Sequence, residues 1–271
     1  MNYYLPESIN EATFLMDTYG NDAVIISGGV QVTNELSKLS INPSAIIDLN
    51  KVSILKEIQE LEDYICIGAC VKHVEVSKSP VIHKSIVALS NAAEKLGDLQ
   101  IRNMASVGGT IALSDSYGDY WSILLAAGGY VNLSSKKRER KVQLSSWLED
   151  RFLNIKEQNE IITSIHVCKV EKSIFLKQDF PNLQSLCIAG VIKENKGRIV
   201  ITGATHLPIV FSFNILNNHR YHNYFNDFHK YLVELYSHTL DEYLFHMTSI
   251  LVKKAINHLN ILKYRLQREK E

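Results

Sequence analysis

The chain has 271 residues, 46% of them hydrophobic and 21% charged, which supports a buried core over about two domains and excludes a disordered chain. Its 29 Lys and Arg balance 29 Asp and Glu, so net charge gives no argument for a nucleic-acid or anionic-membrane partner. Four Cys are too few for a disulfide framework, no apolar run reaches the roughly 18 residues of a bilayer span, and the opening Met1 to Pro6 lacks signal-peptide character, so a cytoplasmic setting is expected.

Ser8-Ile9-Asn10-Glu11 has the form of a capping box, and Ala12, Leu15, Met16 and Tyr19 continue at helical spacing until Gly20. Ala23 to Ile26 reads as a buried strand that stops at Ser27-Gly28-Gly29, and Val32 to Lys38 as a helix. Ala45 to Leu49 is a second buried strand. Glu57 to Leu61 and Tyr64 to Ile67 form a hairpin turning at Glu62-Asp63. Cys66 and Cys70 sit in an apolar stretch and read as small buried hydrophobes. Lys72 to Lys78 and Ile82 to Leu96 read as helices. Gly97 to Ile123 is long, glycine-bearing and poorly periodic, which in a compact domain marks function. Tyr130 to Leu133, Arg140 to Leu144 and Glu160 to Val167 are strands.

After about residue 168 the texture changes. Ile174 to Lys177, Leu186 to Ile192 and Ile199 to Gly203 read as three antiparallel strands, the last pair turning at Asn195-Lys196-Gly197. Thr239-Leu240-Asp241-Glu242 is a second capping box before an apolar helical stripe from Leu240 to Ala255. The chain is therefore an α+β domain over 1–167 followed by a smaller β-then-α domain over 168–271.

Two turns share one grammar: Ser27-Gly28-Gly29-Val30-Gln31 and Ser106-Val107-Gly108-Gly109-Thr110. Paired glycines permit positive φ and can converge N–H groups into a nest for phosphate. The same pattern also serves as a plain tight turn, and the residues alone leave both readings open. Neither turn fits G-x-G-x-x-G or a P-loop.

The run Leu96-Gly97-Asp98-Leu99-Gln100-Ile101-Arg102-Asn103-Met104-Ala105-Ser106-Val107-Gly108-Gly109-Thr110-Ile111-Ala112 resembles the signature of the FAD-binding subunit of the xanthine dehydrogenase and carbon monoxide dehydrogenase family of molybdenum hydroxylases. Pro6 to Ala12, Ser27-Gly28-Gly29, Ile67 to Val76 and Asp241 to Ala255 also match that family. The resemblance implies a two-lobed vanillyl-alcohol-oxidase-type (PCMH) FAD-binding domain followed by a small three-stranded antiparallel sheet with helices. It implies FAD held by Ser27, Gly28, Gly29, Val30, Gln31 and Val32 in the first loop and by Ser106, Val107, Gly108, Gly109 and Thr110 in the second. Ala112 and Ile162 would add apolar contacts and Asp119 a hydrogen bond to the nucleotide part. Lys177 would stand near the flavin as the catalytic, redox-tuning residue.

It further implies an iron–sulfur subunit and a molybdopterin-binding subunit as partners, with NAD or oxygen as acceptor. The chain has no four-Cys cluster motif, so the iron–sulfur centres lie elsewhere. Val30 lacks a side-chain donor, and Asp179-Phe180-Pro181-Asn182 follows Lys177 where the family commonly places a basic residue. These departures keep in view a non-catalytic assembly subunit that retains the fold, and a stand-alone flavin oxidoreductase is a third possibility.

No metal site is expected. His219 and His222 have helical spacing but no further ligands beside them. Arg138, Arg140 and Lys141 read as a charged hairpin tip and Trp121 and Trp147 as core, while Arg102 and Asn103 either support the loop, the favoured reading, or face the iron–sulfur partner.

Overall fold

The computed structural model describes residues 1–113, 119–149, 156–157, 159–181, 183–214, 221–236 and 241–268. Two compact units emerge from its contacts. The first comprises 1–81, 96–115 and 128–168, the second 82–95, 116–127 and 169–271.

The first unit holds two sheets. A parallel three-stranded sheet takes the order β1 (Asn2–Tyr4), β3 (Ala45–Asp48), β2 (Ala23–Ile26). Between its strands run α1 (Ile9–Tyr19) and α2 (Val30–Ser37). The Ser8 hydroxyl caps α1 by accepting from the Glu11 N–H at 3.2 Å, while the Glu11 carboxylate accepts from the Glu7 N–H at 2.9 Å. Ala12 and Met16 of α1 pack on Ile47 and Leu49.

The second sheet has five antiparallel strands in the order β4 (Ile58–Glu60), β5 (Tyr64–Gly68), β8 (Ile161–Cys168), β6 (Gly129–Ser134), β7 (Glu139–Gln143). Strand alternation buries Ile65, Ile67, Val131, Leu133, Ile165 and Val167 on one face. The other face carries a polar cluster, which corrects the reading of Cys66. Its thiol is half-buried, 3.4 Å from Nε2 of His166, whose ring stacks on Tyr130. Cys70 is buried as expected.

The helical segments are more broken than periodicity suggests. Lys72 to Lys78 becomes α3 (His73–Lys78). Ile82 to Leu96 becomes α4 (Pro80–Ser85) and α5 (Val87–Glu94), interrupted at Ile86 with φ −159°. The region expected to be irregular from Gly97 to Ile123 contains α6 (Leu99–Met104), α7 (Val107–Ala112) and the start of α8 (Asp119–Ala127). Such short helices show no full apolar stripe, so their periodicity is invisible in sequence. The Asp98 carboxylate caps α6 and the Ser106 hydroxyl caps α7. Arg102 donates to the Leu96 and Gly97 carbonyls, the loop support expected of it. A further helix, α9 (Leu144–Glu149), carries Trp147, whose side chain lies outside the described residues.

The second unit is built on β9 (Lys172–Phe180), β10 (Leu183–Lys193), β11 (Lys196–Thr202) and β12 (Ile209–Asn214). The expected three-stranded sheet therefore has four strands, in the order β12-β11-β10-β9. The fourth strand hides behind Pro208, and only Ile209 and Phe211 of it are buried. The β10–β11 turn falls on Glu194 and Asn195, both at positive φ, and so begins one residue earlier than expected, with Lys196 and Gly197 already paired in β11. Helices α10 (Tyr221–Tyr236) and α11 (Glu242–Arg268) cover the sheet. The Asp241 carboxylate accepts from the Leu244 N–H at 2.8 Å at the start of α11; the expected cap Thr239, with Leu240, lies outside the described residues, as do His219 and the side chain of His222. Segments 82–95 and 116–127 belong to this unit because α5 and α8 pack against its strands, with the Ala88 N–H donating to the Ser173 hydroxyl at 3.1 Å. Trp121 of α8 is fully buried, as expected of core.

Phe228 is fully buried in the second unit, against Phe211 at 5.4 Å between ring centroids. Truncating it leaves a cavity that the surrounding sheet cannot close. Phe228→Ala is expected to lower unfolding stability by about 3–5 kcal/mol in denaturant melts.

Candidate functional site

The parallel sheet sets the site. The C-terminal ends of β2 and β3 lie side by side, which is where ligands bind in sheets of this kind. β2 runs directly into Ser27 and Gly28. Gly29 then takes φ +76°, a left-handed conformation that a side chain resists, and this turns the chain into α2. Helix α2 has no side-chain cap. The N–H groups of Val30, Gln31 and Val32 thus have no intrahelical acceptor, and they stand at the positive end of the helix dipole.

Gly28 is required for a different reason. A Cβ there would lie 2.2 Å from the Met104 carbonyl oxygen and 2.8 Å from the Ala105 Cα. Backbone therefore meets backbone, and the first glycine turn is pressed against the segment leading into the second. Asn50 fixes the other side of the turn. Its side-chain amide donates to the Ser27 carbonyl and to Asp48 Oδ1, both at 2.7 Å, and the Asp48 carboxylate also accepts from the Tyr3 hydroxyl.

The second turn differs from the expected nest. Gly108 and Gly109 lie inside α7 and neither takes positive φ. Its N–H groups are already used. Val107 donates to the Val71 carbonyl at 3.0 Å and Gly108 to the Ala69 carbonyl at 2.9 Å. Gly109 donates to the Ser106 hydroxyl and Thr110 to the Ser106 carbonyl. Gly108 is glycine because a Cβ would sit 2.6 Å from the Ala69 Cβ. This turn is a wall built by close packing, while the open donors belong to the first.

Together these segments enclose a cavity of about 500 Å³ in the first unit, within the usual range for small-molecule sites. Ser27 to Val32, Ser106, Gly108, Gly109, Thr110, Ala112 and Ile162 line it, so most of the residues expected to bind a cofactor come together. Val107 does not line it but is buried in α7. Asp119 is the first residue of α8, and its side chain lies outside the described residues. Lys177 stands on β9 in the second unit, where its ammonium donates to the Lys95 carbonyl at 3.2 Å and lies 3.6 Å from Asp179 Oδ1.

Sequence reasoning missed several contributors. Leu49, Cys70, Leu96 and Ile101 give the cavity apolar surface, and Lys156 and Glu160 give it charge. The Glu160 carboxylate is buried and held in a two-pronged bond by Arg140, at 2.6 and 2.7 Å. Burial pushes its pKa up, but Arg140 and the Glu157 N–H outweigh that and hold it below the ordinary value. His73 was also missed as a support. It is fully buried, with Nε2 2.8 Å from the Thr110 hydroxyl. Burial, aided by the neighbouring Lys72 charge, pulls its pKa down to about 4, so the ring is neutral near pH 7. Only the Ser8-to-Glu11 style of capping signal could have been read locally; these contacts join residues far apart in the chain.

Residues 1–169 match the family described as FAD binding domain in molybdopterin dehydrogenase. The alpha subunit of the 6-hydroxypseudooxynicotine dehydrogenase complex of Paenarthrobacter nicotinovorans is 32% identical over 166 residues, covering 61% of this chain and 56% of that protein. The carbon monoxide dehydrogenase medium chain of Hydrogenophaga pseudoflava is 27% identical over 165 residues, covering 61% and 58%. The match thus spans less than two thirds of these relatives. Among solved structures, carbon monoxide dehydrogenase from Hydrogenophaga pseudoflava superposes with a TM-score of 0.78 at 20% identity, over 95% of this chain and 96% of that one. Quinoline 2-oxidoreductase from Pseudomonas putida 86 gives 0.78 at 17% identity, over 96% and 98%. At such identities these two likenesses concern the fold alone.

His73 generates a pH prediction. Its folded pKa lies below the ordinary 6.5, so the unfolded chain takes up the proton first. The associated stability is complete above about pH 6.5 and is lost as pH falls towards 4, by about 3 kcal/mol. His73→Gln removes the titration. Stability measured in urea from pH 7.5 to 4 should therefore fall more steeply for the unaltered chain than for this variant.

Proposed function

The chain belongs to the family of FAD-binding domains found in molybdopterin dehydrogenases, and from that premise we propose that it is the flavin-carrying electron-transfer subunit of a molybdenum hydroxylase. Its partners are a molybdopterin-binding subunit and an iron–sulfur subunit. Electrons pass from the iron–sulfur partner to this chain and on to NAD or oxygen.

One observation carries this reading: the uncapped start of α2 opens into a cavity walled by the second glycine turn. The residues present fit FAD. The cavity is mostly apolar, the N–H groups of Val30, Gln31 and Val32 among its lining residues have no intrahelical acceptor, and the buried Ser27 hydroxyl has no hydrogen-bond partner among the described residues. When bound, FAD supplies the redox chemistry. The chain supplies the rest. The N–H groups of Val30, Gln31 and Val32 bind the anionic bridge of the dinucleotide. Asn50 holds the Ser27–Gly28 turn in place, and His73 holds the Thr110 hydroxyl. Ile162 and Leu49 keep water from the apolar parts.

The whole chain, purified and then denatured, should release one equivalent of FAD, and when co-expressed it should co-purify with molybdenum- and iron–sulfur-containing polypeptides. A colourless chain that takes up no added FAD yet still assembles with those partners would point to an assembly role. Gly28→Val should lose stoichiometric FAD, because the new Cβ would collide with the Met104 carbonyl. Full flavin content in that variant would remove the first turn from the site.

Lys177 is proposed, on the family resemblance, to tune the flavin potential. A cation favours the reduced, anionic ring, so Lys177→Met should make the midpoint potential more negative while leaving FAD content nearly unchanged. The ion pair with Asp179 offsets part of that charge, so Asp179→Asn should move the potential the other way. Overlapping spectroelectrochemical titrations of all three proteins would end Lys177's role.

A further inference from the structure

We propose that Lys156 is the cation that receives the diphosphate of the bound dinucleotide, an assignment that rests on the flavin-binding reading above. Among the described residues lining the cavity, Lys156 and Glu160 are the charged ones. Their situations differ. The Glu160 carboxylate is already neutralised by the two-pronged bond from Arg140, and it also accepts from the Glu157 N–H at 2.7 Å. Lys156 donates to two backbone carbonyls, Glu157 at 3.1 Å and Glu160 at 2.9 Å. Carbonyls orient an ammonium without cancelling its charge, and a third N–H remains for a ligand.

Charge balance points the same way. A diphosphate linking two nucleosides carries two negative charges. The start of α2 offers roughly half a positive charge, and the second turn has spent its N–H groups on Val71, Ala69 and Ser106. A full positive charge in the same cavity supplies much of the remainder. Burial holds the Lys156 pKa below its ordinary value, although the nearby Glu160 carboxylate pushes it the other way. The carbonyl bonds make Lys156 a preset donor, so little side-chain freedom remains to be lost on binding.

The test uses the whole chain stripped of FAD and titrated by calorimetry with FAD, ADP and riboflavin. ADP carries the diphosphate without the flavin, and riboflavin carries the flavin without the diphosphate. Lys156→Met should weaken FAD and ADP about ten- to hundredfold, as loss of a charge-assisted hydrogen bond does, and leave riboflavin unchanged. Lys156→Arg should restore ADP binding to near the unaltered level. Unchanged ADP affinity in the Met variant would overturn the assignment, as would an equal loss for riboflavin or an Arg variant no better than Met. An unaltered chain that binds no FAD would instead overturn the flavin-binding reading itself.

Discussion

The contact between Gly28 and the Met104–Ala105 backbone governs the site. With 2.2 Å between a would-be Cβ and the Met104 oxygen, no side chain fits there, so the turn after β2 and the approach to α7 close on each other directly. That contact brings residues some 80 positions apart in the chain to the walls of one cavity. The left-handed Gly29 then aims α2 so that its unsatisfied N–H groups line that cavity, and Asn50 ties the turn back to the end of β3. A shift of the Gly28 backbone would move all three.

The two Ser-Gly-Gly-type turns look alike in sequence and do different work. In the first, glycine is needed for a positive φ and for a backbone approach, and the N–H groups stay open. In the second, Gly108 is needed only because Ala69 is so close, and the N–H groups are consumed by packing. A glycine pair is thus not one device. Its consequence depends on whether the neighbouring carbonyls reach its donors, which local sequence does not specify.

The charges around the cavity are arranged to be few and directed. His73 is kept neutral by burial and spends its Nε2 on Thr110. Glu160 is closed off by Arg140. Lys156 is held by carbonyls alone among the described residues. In a mostly apolar setting an ammonium acts more strongly than it would in water, and the nearby Glu160 carboxylate is shared with Arg140. The Arg140–Glu160 ion pair ties to β7 the residue whose carbonyl holds the Lys156 ammonium.

Much of this was legible in the residues themselves. The buried runs at 23–26 and 45–49, the cap at Ser8 and the long run from Leu96 to Ala112 located the strands, the first helix and both glycine turns, because strand burial, capping and turn chemistry are local effects. The fourth strand Ile209–Asn214, the break at Ile86 and the short helices α6 and α7 were not legible, since each is too short to carry its own periodicity and is set by what it packs against. The division of the contacts follows the same logic: α5 packs on β9 and α8 on β10 and β11, strands that lie some 50 to 90 positions further along the chain. Local residue chemistry settles which backbone segments can turn and which can be buried. Tertiary structure decided which turn kept its donors and which lysine entered the cavity, because both depend on carbonyls and walls contributed by distant segments.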